Sequence, residues 1–263
     1  MGHDFLEEIV TKPLMASMRN FRKFRARVGW CCAGRMGWAI MAEGFERVEG
    51  GRPDLAALAG RVVHLVDCDL NGADLSGLDM AGWWFQRCQM REARAIRAVL
   101  EGALFEGCRG GMADFRAARM AEATLRGCDF NNANFGEAVL TGARIAGCKL
   151  TGVDLVKAGT IGLEVEETLL VSARMKGVGL RHARLVGVDF SMADLSGCDF
   201  REAVFEGCSL REAAITGARF EGADLRGADL GGLTLGDAGR FRGATVSRAQ
   251  AADLLAQLGL QVR

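Results

Sequence analysis

The sequence predicts an all-β solenoid, a chain wound into stacked coils of short straight sides, and three observations carry that prediction. Apolar residues recur every five positions: of the 35 multiples of five from Leu65 to Leu235, 32 are Leu, Phe, Met, Ile or Val, the exceptions being Ala95, Gly110 and Thr160. Two positions before each centre, from Cys68 to Leu233, 26 of 34 residues are Ala or Cys. Two positions after the centre Gly occurs 18 times in 35, and the remaining places are mostly polar or charged.

A helix asks for apolar residues about every 3.6 positions and a strand every 2, so a period of five is neither. It fits a unit made of a straight side and a turn. The centre and the small residue two before it point inward, as alternate strand residues do. The Gly two places on relieves a corner where a Cβ crowds the bend or φ turns positive. Such units bury their apolar groups only by stacking on neighbouring coils. Ala73-Asp74-Leu75-Ser76-Gly77 and Ala223-Asp224-Leu225-Arg226-Gly227 show the unit in full.

These units resemble the pentapeptide-repeat family, whose repeat is written A(D/N)LxX, over roughly residues 65 to 245. The resemblance implies a right-handed quadrilateral β-helix with four units per coil. The cysteines support the fourfold count independently, because Cys68, Cys88, Cys108, Cys128, Cys148 and Cys208 are spaced by multiples of 20. Thirty-five units then make about nine coils, a rod roughly 40 Å long at the strand spacing of ~4.8 Å. The expected organisation is a mainly helical N-terminal cap or partner module over 1–60, the β-helix over 61–245, and a C-terminal capping or dimerisation helix over 246–263.

Composition agrees with a globular chain. Of 263 residues 49% are hydrophobic and 25% charged, with 33 basic against 33 acidic side chains. A neutral total removes the simplest case for direct nucleic-acid binding, which asks for a basic chain. The most apolar stretch, Val28 to Ala42, is too short for a membrane span and contains Arg35. Residues 1–10 lack the basic-then-apolar order of a secretory signal, so a cytoplasmic location is expected.

No catalytic, cofactor or metal site is expected. The histidines are His3, His64 and His182, and no HExxH or GxSxG occurs. Gly142 and Gly147 have P-loop spacing, but Cys148-Lys149 follows where Lys-Ser/Thr is required. The cysteine column reads as small buried filler, since stacked thiols one strand apart are too distant for disulfide geometry and no CxxC pair is present. Nine Cys in total, with Cys31-Cys32 outside the repeat, fit reduced thiols.

Function then rests on outward side chains. The column Asp74, Arg94, Asp114, Asn134, Asp154, Arg174, Asp194 alternates in charge and is expected largely to neutralise itself. Residues 87–126 hold eight Arg against five acids, whereas residues 189–229 hold nine acids against four Arg. Those acids are Asp189, Asp194, Asp199, Glu202, Glu206, Glu212, Glu221, Asp224 and Asp229, a candidate partner-binding surface. The leading expectation is a non-catalytic protein–protein interaction scaffold. The family resemblance adds a second one, because its quinolone-resistance members bind DNA gyrase by imitating DNA with acidic rods dimerised through a C-terminal helix. A third, an accessory of a secretion or phage-like assembly, has no motif here to identify it.

The ends need caps. Ser247 fits the N-cap of a helix through Gln257, with Ala251, Leu254, Leu255 and Leu258 on one face and Gly259 as its stop; that face caps the last coil or forms a homodimer. Leu14, Met15, Met18, Phe21 and Val28 fall near helical spacing beside several Arg, and Gly29 to Phe45 follows as a second candidate helix. A basic amphipathic helix can touch a membrane surface or nucleic acid, but folding over the first coils is the simpler role. Trp83 is too large for an Ala slot, so a distorted coil is expected there, with Trp83 and Trp84 contacting the N-terminal module.

Overall fold

The computed structural model describes residues 22–24, 43–46, 55–232, 239–256 and 259–260. Its one sheet runs in sequence order through β1 (Arg22–Phe24), β2 (Glu43–Glu46), β3 (Val63–Val66), β4 (Trp84–Gln86), β5 (Leu104–Glu106), β6 (Thr124–Arg126), β7 (Arg144–Ala146), β8 (Glu164–Glu166), β9 (Arg184–Val186) and β10 (Val204–Glu206). From β2 onward all pairs are parallel, and each step along the wall is twenty residues: Leu65 pairs with Phe85, Phe85 with Phe105, Phe105 with Leu125. Single bridges mark three further walls at the same step, as in Asp69 to Gln89, Asp74 to Arg94 and Asp79 to Val99. Four walls per twenty residues give a four-sided coil of pentads.

Each pentad repeats one set of backbone bonds. Leu75 N–H donates to Arg94 O at 2.6 Å and Arg94 N–H to Ala73 O at 2.8 Å, which zips successive coils together. Ala73 N–H donates to Leu70 O at 3.0 Å, which closes the turn. Corner residues adopt positive φ whether or not they are Gly, as Gly142 at φ 65° and Glu122 at φ 58° do, with Gly227 an exception. Gly is favoured there because it occupies this region without a Cβ penalty. The centres and the small residues before them form one continuous core, from Leu55 to Ala228.

Two of the exceptions in the centre column have visible compensation. At Gly110 the missing side chain is replaced by the ring of Phe130 from the next coil, which lies where a Cβ of residue 110 would be. Thr160 turns its hydroxyl to donate to Gly179 O at 2.7 Å.

Several expectations are corrected. From β3 to β10 the wall makes seven turns, against about nine coils counted from the pentads, and that count included residues 233–238, which lie outside the described residues. The pentad phase also slips by one residue at the end. Phe220 N–H donates to Arg240 O, and Phe241, not residue 240, stacks on Phe220 with ring centroids 4.8 Å apart. Keeping the old phase would have put Arg240 in the core, where an unpaired charge is costly.

Within the expected helical module, residues 22–24 and 43–46 are strands. Phe45 pairs with Leu65 at the twenty-residue step, so β2 continues the wall one coil upstream, and an open edge is what such a strand covers. The rest of 1–54 lies outside the described residues. The coil at Trp83 is not distorted: β4 pairs in register with β3 and β5, and Trp83 is fully buried beside Phe85, ring centroids 5.8 Å apart.

At the C-terminus α1 (Arg248–Ala256) starts after Ser247 as expected, and Gln257, its expected last residue, lies outside the described residues. Ser247 Oγ accepts from Gln250 N–H at 3.2 Å while Gln250 Oε1 accepts from Ser247 N–H at 2.6 Å, a reciprocal capping box. Gly259, φ 76°, ends it with its N–H on Ala256 O. Leu260 beyond it is exposed, and residues 261–263 lie outside the described residues.

Candidate interaction surface

The outward acids do local work before they do anything else. In the A(D/N)L unit the Asp sits one residue before the buried centre, and its Oδ1 accepts the N–H two residues on. Asp189 does so from Ser191 at 2.9 Å, Asp194 from Ser196 at 3.0 Å, Asp199 from Arg201 at 3.2 Å, Asp224 from Arg226 at 3.2 Å and Asp229 from Gly231 at 2.9 Å. The motif is an Asx-type turn, which explains why Asp or Asn is placed at that point.

Ion pairs take up much of the remaining charge. Within one pentad Arg201 pairs with Asp199 at 2.5 Å and Arg226 with Asp224 at 2.6 Å. Arg219 likewise reaches Glu221 at 3.4 Å. Across coils Arg181 pairs with Glu202 at 2.8 Å, Arg184 with Glu206 at 2.8 Å and Arg211 with Asp229 at 3.0 Å. The Arg201 guanidinium holds the Asp199 carboxyl below its usual range, and the Arg181 guanidinium does the same for Glu202. Of the nine candidate acids, Asp189, Asp194 and Glu212 have no cation within ion-pair distance among the described residues. The acidic face is therefore narrower than its residue count implies.

The alternating column behaves as expected in part. Arg94 meets Asp74 at 3.7 Å and Arg174 meets Asp154 at 2.9 Å, but Asp114 pairs instead with Arg116 of its own pentad at 2.6 Å. These are exposed pairs, each contributing at most about 1 kcal/mol.

Near the N-terminal end the outward column of the β wall is aromatic. Trp84 stacks on His64 with centroids 3.8 Å apart and planes 2° apart, and His64 Nε2 lies 3.1 Å from Gln86 Oε1. His64 is buried, which pushes its pKa below the usual 6.5. The indole N–H groups of Trp83 and Trp84 are buried without a hydrogen-bond partner among the described residues. His64 was not singled out from the sequence as a partner of Trp84, although the twenty-residue step places the two side by side. The contact proposed between the Trp pair and the N-terminal module falls outside the described residues.

The cysteine column lies inside. Cys68, Cys88, Cys108, Cys128 and Cys148 are buried thiols, and their Sγ atoms donate to backbone carbonyls, as Cys108 does to Phe85 O at 3.1 Å. Thr168 continues the column with its hydroxyl on Glu166 O at 2.7 Å. Ala cannot make this bond, which gives a reason for Cys over Ala on that side of the coil. Burial drives Cys198 up to about 12 and raises Cys208, so these thiols stay protonated and unreactive. Among the described residues no three His, Cys, Asp or Glu are grouped to hold a metal ion. No described helix is long and apolar enough to cross a membrane.

At the other end Gln250 completes the last coil. Its Nε2 donates to Leu225 O and Ala228 O, both at 2.7 Å. The side chain thus caps both the helix and the rod. Ala251, Leu254 and Leu255 are half-buried, and Leu258 lies outside the described residues.

Comparison with known proteins agrees with this architecture. The family model for pentapeptide repeats matches eight copies over residues 118–155 and 193–232. Among solved structures, a trypsin-treated form of QnrB1, a plasmid-mediated fluoroquinolone resistance protein, is 24% identical with a TM-score of 0.54 and covers 83% of this chain and 95% of its own. The full-length form of QnrB1 is 24% identical with a TM-score of 0.51, covering 75% of this chain and 88% of its own. No curated protein sequence matches the chain. The structural likeness shows the fold.

Proposed function

We propose that this pentapeptide-repeat protein works as a non-catalytic protein–protein interaction scaffold. The observation that supports the reading most is the separation of inside from outside. The core is continuous and mostly Phe, Leu, Met, Val, Ala and Cys, and the charged side chains of the described coils sit outward in register, one coil apart. Such a rod presents spaced groups to a partner along its walls. Protein partners fit this surface, and a homodimer through Ala251, Leu254 and Leu255 of α1 fits their partial exposure. The test uses the purified full chain as bait, with cross-linking to identify partners and their contact faces. Recovery of a partner on one face supports the reading. Recovery of none, together with turnover of a small molecule, overturns it.

A second reading, a DNA-imitating modulator of gyrase, is favoured by Asp189, Asp194 and Glu212, which keep uncompensated charge in coils of net negative sign. A supercoiling assay with and without quinolone decides it. Protection or inhibition at micromolar protein supports it, and no effect removes it.

A further inference from the structure

Among the described residues, the ladder that zips coil to coil loses several successive rungs on one wall. On the wall formed by Ala158–Gly162 and Val178–His182, Thr160 and Gly162 make none of the rungs that their neighbours make. In the coil before, Leu140 N–H donates to Gly159 O, Gly142 N–H to Ile161 O, Gly159 N–H to Ala138 O and Glu164 N–H to Ala143 O, at 2.7–3.0 Å. In the coil after, Leu180 N–H donates to Asp199 O, His182 N–H to Arg201 O and Val204 N–H to Ala183 O. Between the two, the N–H groups of Lys157, Thr160, Gly162, Gly179 and Arg184 have no backbone acceptor among the described residues, and the Gly159–Gly179 bridge is missing from its column. The pairing of β8 with β9 also starts one residue late, at Val165 with Leu185.

The sequence explains the opening. A polar Thr160 stands at a centre where the pentad wants an apolar residue, and its hydroxyl takes the Gly179 carbonyl that its own N–H would otherwise use. Gly159 and Gly179 bring no side chains to close the gap, and a Cβ at Gly179 would meet nothing within 4 Å. Ala183 is half-buried, although Ala143 and Ala203 in the same column are buried. On the lip stands Ile161, 79% exposed.

We propose that this seam is a docking site for an extended, uncharged peptide segment of a partner protein, whose main chain supplies the missing hydrogen bonds and whose apolar side chain rests on Ile161. Unpaired donors of Thr160, Gly162, Gly179 and Arg184 beside unpaired acceptors of Ala158, Leu163 and Arg181 match a peptide backbone, which offers both. Exposed glycines in a strand wall let another backbone approach closely. The segment is uncharged because the flanking charges are already paired: Arg144 with Glu164 at 2.9 Å, Arg181 and His182 with Glu202 at 2.8 and 3.3 Å. The inference rests on the scaffold reading and gives it a specific face.

The experiment uses the full chain, hydrogen exchange and a displayed library of linear peptides as the probe. In the free protein the amides of Thr160, Gly162, Gly179 and Arg184 exchange at least about tenfold faster than those of Leu140, Gly142, Gly159 and Glu164. Selected peptides slow that exchange, and they lose about tenfold in affinity or more on I161D, a change at an exposed site, and on T160L, which restores the apolar centre and the rung. Equal protection of the two sets of amides, or peptides that bind T160L and I161D as tightly as the parent, overturns the proposal. A partner that cross-links to the parent and equally to both variants sinks the seam and leaves the scaffold reading intact.

Discussion

Gly110 and Phe130 share one space, and exchanging their volumes tests that directly. Phe130 is fully buried, and its ring packs edge-on against Phe105, Phe115 and Phe135 with centroids 6.0, 5.5 and 6.2 Å apart. A Cβ on residue 110 would overlap Cε1 and Cδ1 of that ring and stand 3.3 Å from Cζ. G110L alone therefore overpacks the core, at about 1–3 kcal/mol. F130L alone opens the space above Gly110 and loses three aromatic contacts, each worth about 0.5–1.5 kcal/mol, part of which the Leu recovers. In G110L/F130L the new Leu fills what the ring vacates. The double variant should then be more stable than the sum of the singles by at least about 1 kcal/mol, within the range seen for touching residues. Thermal unfolding followed by circular dichroism reads this as a recovery of roughly 2–4 °C per kcal/mol for a chain of this size. Additivity of the two single effects to within about 0.5 kcal/mol would refute the shared-space account.

Three other outcomes follow from local chemistry. Replacing Glu122 or Arg97, both corner residues at positive φ, by Gly should raise the melting temperature, since a non-Gly residue there costs about 1–2 kcal/mol; an unchanged or lower value counts against corner strain. His64 is held below 6.5 by burial, so the unfolded chain takes up its proton first as pH drops, and stability contributed by the neutral ring is lost from about pH 6.5 downward. Denaturant titrations at stepped pH should show a shallower acid-side loss in H64F; identical slopes would remove His64 as the cause. Q250A deletes both bonds to the last coil, at about 1–3 kcal/mol, and hydrogen exchange should report the loss around Leu225 to Asp229 and α1, with the β4–β7 wall unchanged.

The fold was legible because period five has no other simple solution, and the phase set by Leu65 also fits Phe45, Phe205 and Leu225. What the repeat does not encode was not legible. The one-residue slip before Phe241 follows no pattern inside residues 230–245, and it shows only in the pairing and stacking on Phe220. The absence of distortion at Trp83 depends on how neighbouring coils share volume, which a one-dimensional period does not carry. The same holds for Phe130 leaning into the space over Gly110. Thr160 and Gly110 were visible as exceptions, yet only the structure separates a filled gap from an opened ladder. The acidic coils were visible as charge, but the Asx-type bonds and intra-pentad Arg pairs that use that charge required coordinates.

Those bonds also allow structure and recognition to be pulled apart. Asn134 stands in the same column as Asp114 and Asp154, and its Oδ1 accepts Gly136 N–H at 2.8 Å, as Asp194 accepts Ser196 N–H. The turn therefore needs an acceptor oxygen and not a negative charge. The Ser196 contacts hold Asp194 below its usual pKa, and the Gly231 N–H does the same for Asp229, so neutralising them loses the charge-assisted part of each bond, about 1 kcal/mol. D189N/D194N/D229N should then keep the rod, with a modest fall in melting temperature, while removing three negative charges from coils whose net charge is −5. If acidity is what a partner reads, gyrase modulation or partner capture falls with this variant and falls further as salt rises. If the variant binds as the parent does, the Asp residues are there for the turns alone, and the partner reads shape or the seam at Ile161.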